Sequence, residues 1–407
     1  MRVLLAPDCF GTALTAAQAA DALAAGWRGG APHDEVTTCP MADGGPGFVA
    51  TLRTSLGGDV DAVTVTGPLG DRVPAAVLRL GTTAYVESAH ALGLDLVPPA
   101  RRDPTRTTSA GAGVLLAAAL AGGARRVVVG LGGSATNDAG AGLLAELADT
   151  LLGEGAVGTA GAVLRRGGGA LHDVREQDLR WLPALRDALR DVDLVAAVDV
   201  DVPLLGLQGA SAGFAPQKGA TPEQAQDLER ALGVFAHAAA AALGPDPVRR
   251  DLLAPPAARP GARPGARSGA SRWTALPGAG AAGGVGFALA LLGGRLVPGA
   301  SLVADALGLP DRIAAHDLVV TGEGRTDWQS LHGKVVAEVA ARALPLAVPT
   351  VVVAGEVLVG RRELSAAGVA AAYAVADGAE QVAAALADPA GTLAARAARV
   401  ARTWSPA

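Results

Sequence analysis

Short apolar runs alternate with longer segments of helical pattern along the chain. Residues 2–7 and 126–131 are rich in Val and Leu and are bounded by Gly, Pro or Asp, as buried strands usually are. A helical segment at 222–242 is preceded by Thr221, and Gln224 follows at the spacing of a capping box. This alternation predicts an α/β protein with largely parallel sheets.

Three predicted strands follow one another without a helix between them. They cover residues 59–66, 72–80 and 83–88, and the turns between them contain Gly. Alternating apolar and polar positions joined by tight Gly turns are typical of neighbouring strands in one sheet.

The composition excludes several classes of protein. Half of the 407 residues are hydrophobic and 18% are charged, so a large core is available and global disorder is excluded. The length suggests two or three domains. A formal net charge of -5 argues against a nucleic acid or an anionic membrane as partner. No uncharged apolar run reaches the roughly eighteen residues of a membrane span.

The cysteines and the first residues bear on the cellular compartment. The chain starts MRVLLAPD, which reads as a short buried strand and not as the apolar core of a signal peptide. Cys9 and Cys39 are too few for a disulfide framework. We therefore expect reduced thiols and a cytoplasmic protein.

One segment departs from the α/β alternation. Residues 254–272 are rich in Pro, Gly, Arg and Ser and have no apolar period. We expect a flexible surface insertion there. A basic tail for an acidic partner is the alternative interpretation.

Acidic residues follow most of the predicted strands, at the edge where open α/β sheets bind ligands. Such carboxylates can hold a hard cation such as Mg²⁺ or deprotonate a hydroxyl. Each could instead cap a helix or brace a turn, but five at successive strand ends are hard to explain by capping alone. The five are Asp8, Asp43, Asp199, Glu323 and Asp327.

The loop at 132–138 is the most specific Gly-rich segment. Its glycines let backbone N–H groups approach a phosphate, and the hydroxyls and amide add donors. The alternative is a turn built around the chain's single Asn. The candidate phosphate-binding or substrate-binding residues are Gly132, Gly133, Ser134, Thr136 and Asn137. A second Gly-rich loop, with Gly283 and Gly284, is a weaker candidate because Gly is abundant throughout the chain.

Only two of the 34 basic Lys and Arg residues are Lys, namely Lys218 and Lys334. Both lie beside Gly in loops that lead into predicted helices. A compact ammonium there suits a phosphate or carboxylate oxygen, a task that Arg does not perform in the same way. Retention by chance is the alternative. The chain has no GxxxxGK[ST] loop, no GxGxxG after the first strand and no GxSxG elbow.

Taken together, the motifs resemble the bacterial type 1 glycerate kinase family almost end to end. They include MADGG, GGSATND, PQKGA, PGAGAAGG and TGEGRTD. The resemblance implies two α/β domains. A flavodoxin-like domain with a parallel sheet, residues 67–294, is inserted into a second domain built from both chain ends, residues 1–66 and 295–407. It also implies ATP-dependent phosphorylation of D-glycerate to 2-phosphoglycerate with Mg²⁺, in a monomer or homodimer.

Chemistry and chain position suggest roles for the candidate residues. We expect Asp43 to act as the base toward the acceptor hydroxyl, with Asp8 beside it. Lys218 and Lys334 would neutralise developing charge. Arg325 would bind the acceptor carboxylate.

A magnesium site is expected from the remaining carboxylates. Asp199 or Glu323, together with Asp327, would hold Mg²⁺. Asp199 is also a catalytic candidate.

The chain departs from the family pattern in the strand-end loops. Gly11 replaces a Lys, Cys9 a Ser, Pro46 a Glu, Val202 an Asn and Ala215 a Gly. These changes leave open a paralogue that acts on a different small hydroxy compound, or a non-catalytic regulatory paralogue. Retention of most carboxylates and of both lysines counts against the non-catalytic alternative.

Overall fold

Strands and helices alternate through the computed structural model, which describes residues 1–244, 269–331 and 333–405. The strands in this part of the chain are β1 (Arg2–Leu5), β2 (Glu35–Thr38), β3 (Asp59–Thr66), β4 (Arg72–Leu80), β5 (Thr83–Glu87), β6 (Arg126–Leu131), β7 (Asp193–Val198), β8 (Arg295–Pro298), β9 (Leu318–Thr321), β10 (Arg325–Thr326), β11 (Thr350–Ala354), β12 (Glu356–Val357) and β13 (Val369–Ala374).

The α-helices of the same part lie mostly between these strands. They are α1 (Ala16–Gly30), α2 (Phe48–Leu56), α3 (Ala89–Leu92), α4 (Ala110–Ala121), α5 (Ala141–Leu152), α6 (Ala160–Leu164), α7 (Leu182–Ala188), α8 (Ala210–Phe214), α9 (Pro222–Leu243), α10 (Gly269–Thr274), α11 (Ala281–Leu291), α12 (Gly299–Ala306), α13 (Leu309–Ala314), α14 (Val335–Ala343), α15 (Arg361–Ala366), α16 (Ala379–Ala387) and α17 (Pro389–Trp404). The capping box predicted at Thr221 and Gln224 is present at the start of α9. None of the described helices combines the length and apolar character that a bilayer crossing requires.

A five-stranded parallel sheet is built from both ends of the chain. Its order is β13-β11-β9-β1-β2, and every neighbouring pair is parallel. Numbered by appearance, this order is 2-1-3-4-5, which is the flavodoxin-like order. The prediction of two α/β units is confirmed, but the flavodoxin-like order lies in the unit formed by the chain ends and not in the inserted unit.

A six-stranded sheet takes its strands in chain order, from β3 to β8. The pairs β3–β4 and β4–β5 are antiparallel, as tight turns require, and the pairs from β5 to β8 are parallel. The predicted divisions at 66/67 and 294/295 therefore do not coincide with the sheets. They separate β3 from its partner β4, and β8 from its partner β7. The hairpin turn and the register decide which sheet a strand joins, and the local sequence pattern does not.

The predicted flexible insertion at 254–272 lies largely outside the described residues. Its last four residues, 269–272, begin helix α10, which corrects the prediction there. The reason is an apolar anchor: Trp273 is buried within the core of the six-stranded unit. The guanidinium carbon of Arg272 lies 4.5 Å from the centre of its ring, within the range of a cation–π contact.

The two sheets share one layer of hydrophobic core. Leu4 and Val319 of the five-stranded sheet belong to the same buried cluster as Val128 and Val195 of the six-stranded sheet. Helices α2, α12, α13 and α14 supply the other members, for example Val303. The units are therefore packed against each other through apolar side chains.

At the carboxyl ends of the strands, the two units meet backbone to backbone. A Cβ added to Gly132 would lie 2.7 Å from the Cα of Gly45, and one added to Gly299 would overlap the carbonyl oxygen of Asp43. Only glycine permits this approach. The loop at 41–46 can therefore lie directly against the loop that follows β6.

Replacing Gly299 by Ala should destabilise the protein by about 1–3 kcal/mol, as overpacking usually does, because the new methyl group must push the backbone of Asp43 away. Gly29→Ala in helix α1 is the control, since a Cβ at Gly29 meets no atom within 4 Å and Ala favours a helix. Urea unfolding of both variants measures the difference. Equal free energies of unfolding for the two variants would contradict the close approach at Gly299.

Candidate active site

A cleft of about 580 Å³ lies where the strand-end loops of the two sheets face each other. The five-stranded unit contributes the loops after β1, β2 and β9, and the six-stranded unit contributes those after β6 and β7. The predicted site residues that line it are Asp8, Asp43, Gly132, Gly133, Asp199, Glu323, Arg325, Asp327 and Lys334. The topology thus brings together residues that are up to 326 positions apart in the chain.

Lys334 lies among the carboxylates of this cleft. Its Nζ is 3.8 Å from Oδ2 of Asp43. Burial alone would lower the pKa of Lys334, but the negative charges of Asp43, Asp199, Glu323 and Asp8 hold it above its ordinary value. Lys334 is therefore a stable ammonium that offsets part of an excess of negative charge.

Three of the carboxylates are reluctant to ionise. Burial, and then the nearby Asp43, raise the pKa of Asp8 well above its ordinary value. The same two causes raise the pKa of Asp199 to about 6. Burial also raises the pKa of Glu323, although Thr326 donates a hydrogen bond of 3.2 Å to it. The carboxylates around Lys334 outnumber it. This excess favours the binding of a positively charged group in the cleft.

A smaller cavity of about 160 Å³ adjoins the cleft. Gly132, Gly133 and Asp199 line both spaces and so form their common wall. Lys218 and Gly283 line the smaller cavity and not the cleft. A group bound in the cleft can therefore meet a group bound in the smaller cavity beside these three shared residues.

Lys218 holds the loop after β6 in place through two hydrogen bonds. Its side chain is 3% exposed, and Nζ donates to Ser134 Oγ at 3.0 Å and to the carbonyl of Thr136 at 2.7 Å. Burial lowers the pKa of Lys218 to about 7, and the charge of Asp138 only partly opposes this. The two lysines of the chain therefore have opposite electrostatic surroundings.

Two predicted phosphate-binding residues point away from both cavities. Thr136 and Asn137 are fully buried: Thr136 donates to the carbonyl of Ala282, and Asn137 donates to Ser211. The loop turns into the core after Ser134, where a Cβ at Gly283 would overlap the carbonyl of Thr136. Neither residue lines the two cavities, and the hydrogen bonds that the two side chains donate brace the loop.

Gly284 likewise has a packing role, because a Cβ there would lie 2.5 Å from the Cα of Ala139. The loop after β6 ends in Asp138. This residue belongs to the GGSATND motif but was not among the predicted site residues. Asp138 accepts hydrogen bonds from the backbone N–H groups of Ser109 at 2.8 Å and Gly140 at 3.0 Å. It anchors the starts of α4 and α5 behind the site.

Arg325 and Asp327 lie at the rim of the cleft. The side chain of Arg325 is 61% exposed, and its Nε is 3.5 Å from Oδ2 of Asp327. Oδ1 of Asp327 accepts a hydrogen bond from the backbone N–H of Gln329 at 2.9 Å. Asp327 is thus engaged in a turn and a surface ion pair, in contrast to the buried carboxylates.

The carboxylates fit a magnesium ion that arrives with phosphates. Within residues 1–244, 269–331 and 333–405, no three His, Cys, Asp or Glu side chains converge as a ready-made metal site, so the predicted set of Asp199, Glu323 and Asp327 is not assembled. Mg²⁺ needs only one or two carboxylates, because it keeps waters and takes substrate phosphates as ligands. Asp8 and Glu323 are poorly solvated oxygen donors of this kind.

The departures from the family pattern fall on the larger space. Gly11 and Pro46 line the cleft, and Pro46 also packs against Gly133. Val202 packs instead against Gly280 at the base of the second Gly-rich loop. Burial, with Asp8 and Asp43, raises the pKa of Cys9 to about 12, so this thiol is not a nucleophile.

Sequence reasoning missed several polar lining residues, among them Gln217 and Glu356. Gln217 lies on the smaller cavity, and Glu356 on the cleft. The sequence contained a cue for each of them. Gln217 adjoins Lys218 in the PQKGA motif, and Glu356 follows a predicted strand.

Known proteins resemble this chain over most of its length. The model of the glycerate kinase family matches residues 3–405. An uncharacterized protein of Mycobacterium tuberculosis is 42% identical over 405 residues, covering 98% of this chain and 91% of that protein. The glycerate kinase of Bacillus subtilis is 37% identical (93% and 91% covered), and the glycerate 2-kinase of Escherichia coli is 38% identical (87% and 85% covered).

A solved structure also matches over almost its full length. A Salmonella typhimurium protein, provisionally described as glycerate kinase 2, is 35% identical, with a TM-score of 0.73 over 99% of this chain and 98% of that one. The chain belongs to the glycerate kinase family and is a phosphotransferase with an alcohol group as its acceptor.

Proposed function

We propose that this protein transfers a phosphoryl group from ATP to the 2-hydroxyl of D-glycerate, giving 2-phosphoglycerate. The observation that carries the proposal is the pair of adjoining cavities with Gly132, Gly133 and Asp199 as their common wall. The cleft is large and rich in carboxylates, whereas the smaller cavity is lined by Lys218. The names of the Bacillus subtilis and Escherichia coli relatives support glycerate as the acceptor, and the second supports the 2-position.

Asp199 is the group best placed to accept the acceptor's proton. It lines both cavities, whereas Asp43, the base expected from the sequence, lies 3.8 Å from the ammonium of Lys334 in the cleft alone. In the reaction, the hydroxyl oxygen bonds to the γ-phosphorus, the bond from that phosphorus to ADP breaks, and the hydroxyl proton passes to Asp199. A pKa of about 6 leaves Asp199 mostly ionised at neutral pH and ready for this task.

The cleft would receive the phosphates of the nucleotide. Lys334 supplies one positive charge there, and the backbone at Gly132 and Gly133 lines the space. Asp8 and Glu323 would hold Mg²⁺, which on binding with the phosphates supplies further neutralisation of their charge.

An assay of ATP consumption with D-glycerate and Mg²⁺ tests the proposal, with 2-phosphoglycerate identified as the product. Asp199→Asn should lower kcat by about 10²-fold or more, because the amide cannot accept the proton. Asp201→Asn, two residues further along in an exposed position, is the matched control and should stay within about twofold of the native kcat. No turnover of D-glycerate by the native protein, or full turnover by Asp199→Asn, would contradict the proposal.

The rate should also fall in acid. Because the pKa of Asp199 is raised to about 6, its proton-accepting form predominates above pH 6 and is lost as the pH falls through that value. We therefore expect log kcat to decline with a slope of about one per pH unit below pH 6, measured at saturating substrates. A profile that stays flat down to pH 5 would exclude Asp199 as the base.

A different small hydroxy acid is the second candidate acceptor. The observation in its favour is that Gly11 and Pro46, where the family has Lys and Glu, both line the cleft, and that Pro46 lies against Gly133, which also lines the smaller cavity. Gly11 has a φ of 58°, and a Cβ there meets no atom within 4 Å, so the space for a longer side chain is present.

Restoring both family residues, Gly11→Lys with Pro46→Glu, tests this second candidate. If the departures select another acceptor, the pair should raise kcat/KM for D-glycerate relative to that for the preferred acid. Measuring both ratios with a panel of small 2-hydroxy acids decides the question. An unchanged ratio would show that these positions do not select the acceptor.

A further inference from the structure

We propose that the smaller cavity is the binding site for the carboxylate of the acceptor acid, with the ammonium of Lys218 as its ionic partner. This inference rests on the proposed function and assigns the two substrates to separate spaces.

Lys218 carries a buried ammonium without an acidic partner. Its two hydrogen-bond acceptors, Ser134 Oγ and the carbonyl oxygen of Thr136, are both uncharged. In the described part of the chain, no carboxylate oxygen lies within the 4.0 Å of an ion pair with its Nζ. An ammonium has three donors, and two are used, so one remains for a ligand in the cavity that Lys218 lines.

Such an arrangement is unfavourable without a ligand. A buried charge needs an opposite charge or a full set of hydrogen bonds. The charge of Asp138 acts on Lys218, but the hydrogen bonds that Asp138 accepts come from the backbone of Ser109 and Gly140, and Asp199 lines the same cavity. An anion in the cavity would complete the surroundings of Lys218, which is why we place a carboxylate there.

The sizes of the two spaces agree with this division. A volume of about 160 Å³ corresponds to the share of about five water molecules in the liquid, which suits a three-carbon acid. It is too small for a nucleotide, whereas the cleft is about 580 Å³. The amide of Gln217, on the same cavity, is available to the remaining polar atoms of the acid.

Charge also directs the acid away from the cleft. There, Lys334 is already surrounded by Asp43, Asp199, Glu323 and Asp8, so a free carboxylate would be repelled. The phosphates can enter that space because a divalent cation accompanies them. With its carboxylate on Lys218, the acid holds its 2-hydroxyl one carbon from that contact and its 3-hydroxyl two carbons away, and Asp199 lines the same cavity.

Equilibrium binding measured separately for each substrate tests the assignment. Lys218→Met keeps the length of the side chain and removes its charge; Lys334→Met is the matched control in the cleft. We expect Lys218→Met to weaken the binding of D-glycerate, measured calorimetrically without nucleotide, by at least tenfold, with the Kd of Mg²⁺–ATP within about twofold of native. Lys334→Met should weaken Mg²⁺–ATP more than D-glycerate.

Proton uptake provides a second readout. Because burial lowers the pKa of Lys218 to about 7, part of the population is neutral at pH 7.5, and a bound anion should draw a proton onto it. Titrations of D-glycerate in two buffers of different ionisation enthalpy should reveal net uptake by the native protein and none by Lys218→Met. Thermal unfolding of the variant checks that it folds, because the removal of a buried charge offsets only part of the loss of the hydrogen bonds to Ser134 and Thr136.

The outcomes separate this inference from the proposed function. If Lys218→Met weakens Mg²⁺–ATP and leaves D-glycerate unchanged, Lys218 is a phosphate ligand and the inference is wrong. If D-glycerate is phosphorylated but its binding does not depend on Lys218, the function stands and the assignment fails. If D-glycerate binds through Lys218 but is not phosphorylated, the assignment stands and the function fails. Absence of binding by D-glycerate and by other small 2-hydroxy acids would overturn the assignment.

Discussion

The site depends on the contact between the backbone of the loop at 41–46 and the glycines that follow β6 and begin α12. Without side chains at Gly132 and Gly299, the strand-end loops of two separate sheets come close enough to enclose one cleft. Asp43 and Asp199 belong to different sheets, yet each alters the electrostatic surroundings of the same ammonium at Lys334. The chemistry is therefore assembled by the packing of the two units, and neither sheet contains it alone.

Within that frame, the two lysines divide the site by charge. Lys334 is outnumbered by carboxylates, and Lys218 has none in contact among the residues that the structure describes. A surplus of negative charge on one side of a wall, and an unpaired positive charge on the other, match a metal–nucleotide and a small acid respectively. The ionisation of Asp199, which lines both spaces, responds to charge in the cleft, because Asp43 raises its pKa and Lys334 lowers it.

The sequence predicted the alternation of strands and helices, the capping boxes and the strand ends at which polar groups collect, since all of these depend on local pattern. It did not predict which sheet β3 and β8 join, because pairing is decided by hairpin turns and by register between distant segments. Thr136 and Asn137 were expected to face a ligand and are buried instead. Whether a polar residue in a Gly-rich loop faces outward depends on where the loop turns inward, which here is set by Gly283, about 150 residues away.

The hydrophobic layer shared by the two sheets has a consequence for motion. Domains joined by a small or polar interface usually rotate about a hinge to admit and release ligands. Here Leu4 and Val319 share a buried cluster with Val128 and Val195, so such a rotation would expose apolar surface. Opening the cleft by such a rotation therefore costs free energy in proportion to the apolar area that it exposes.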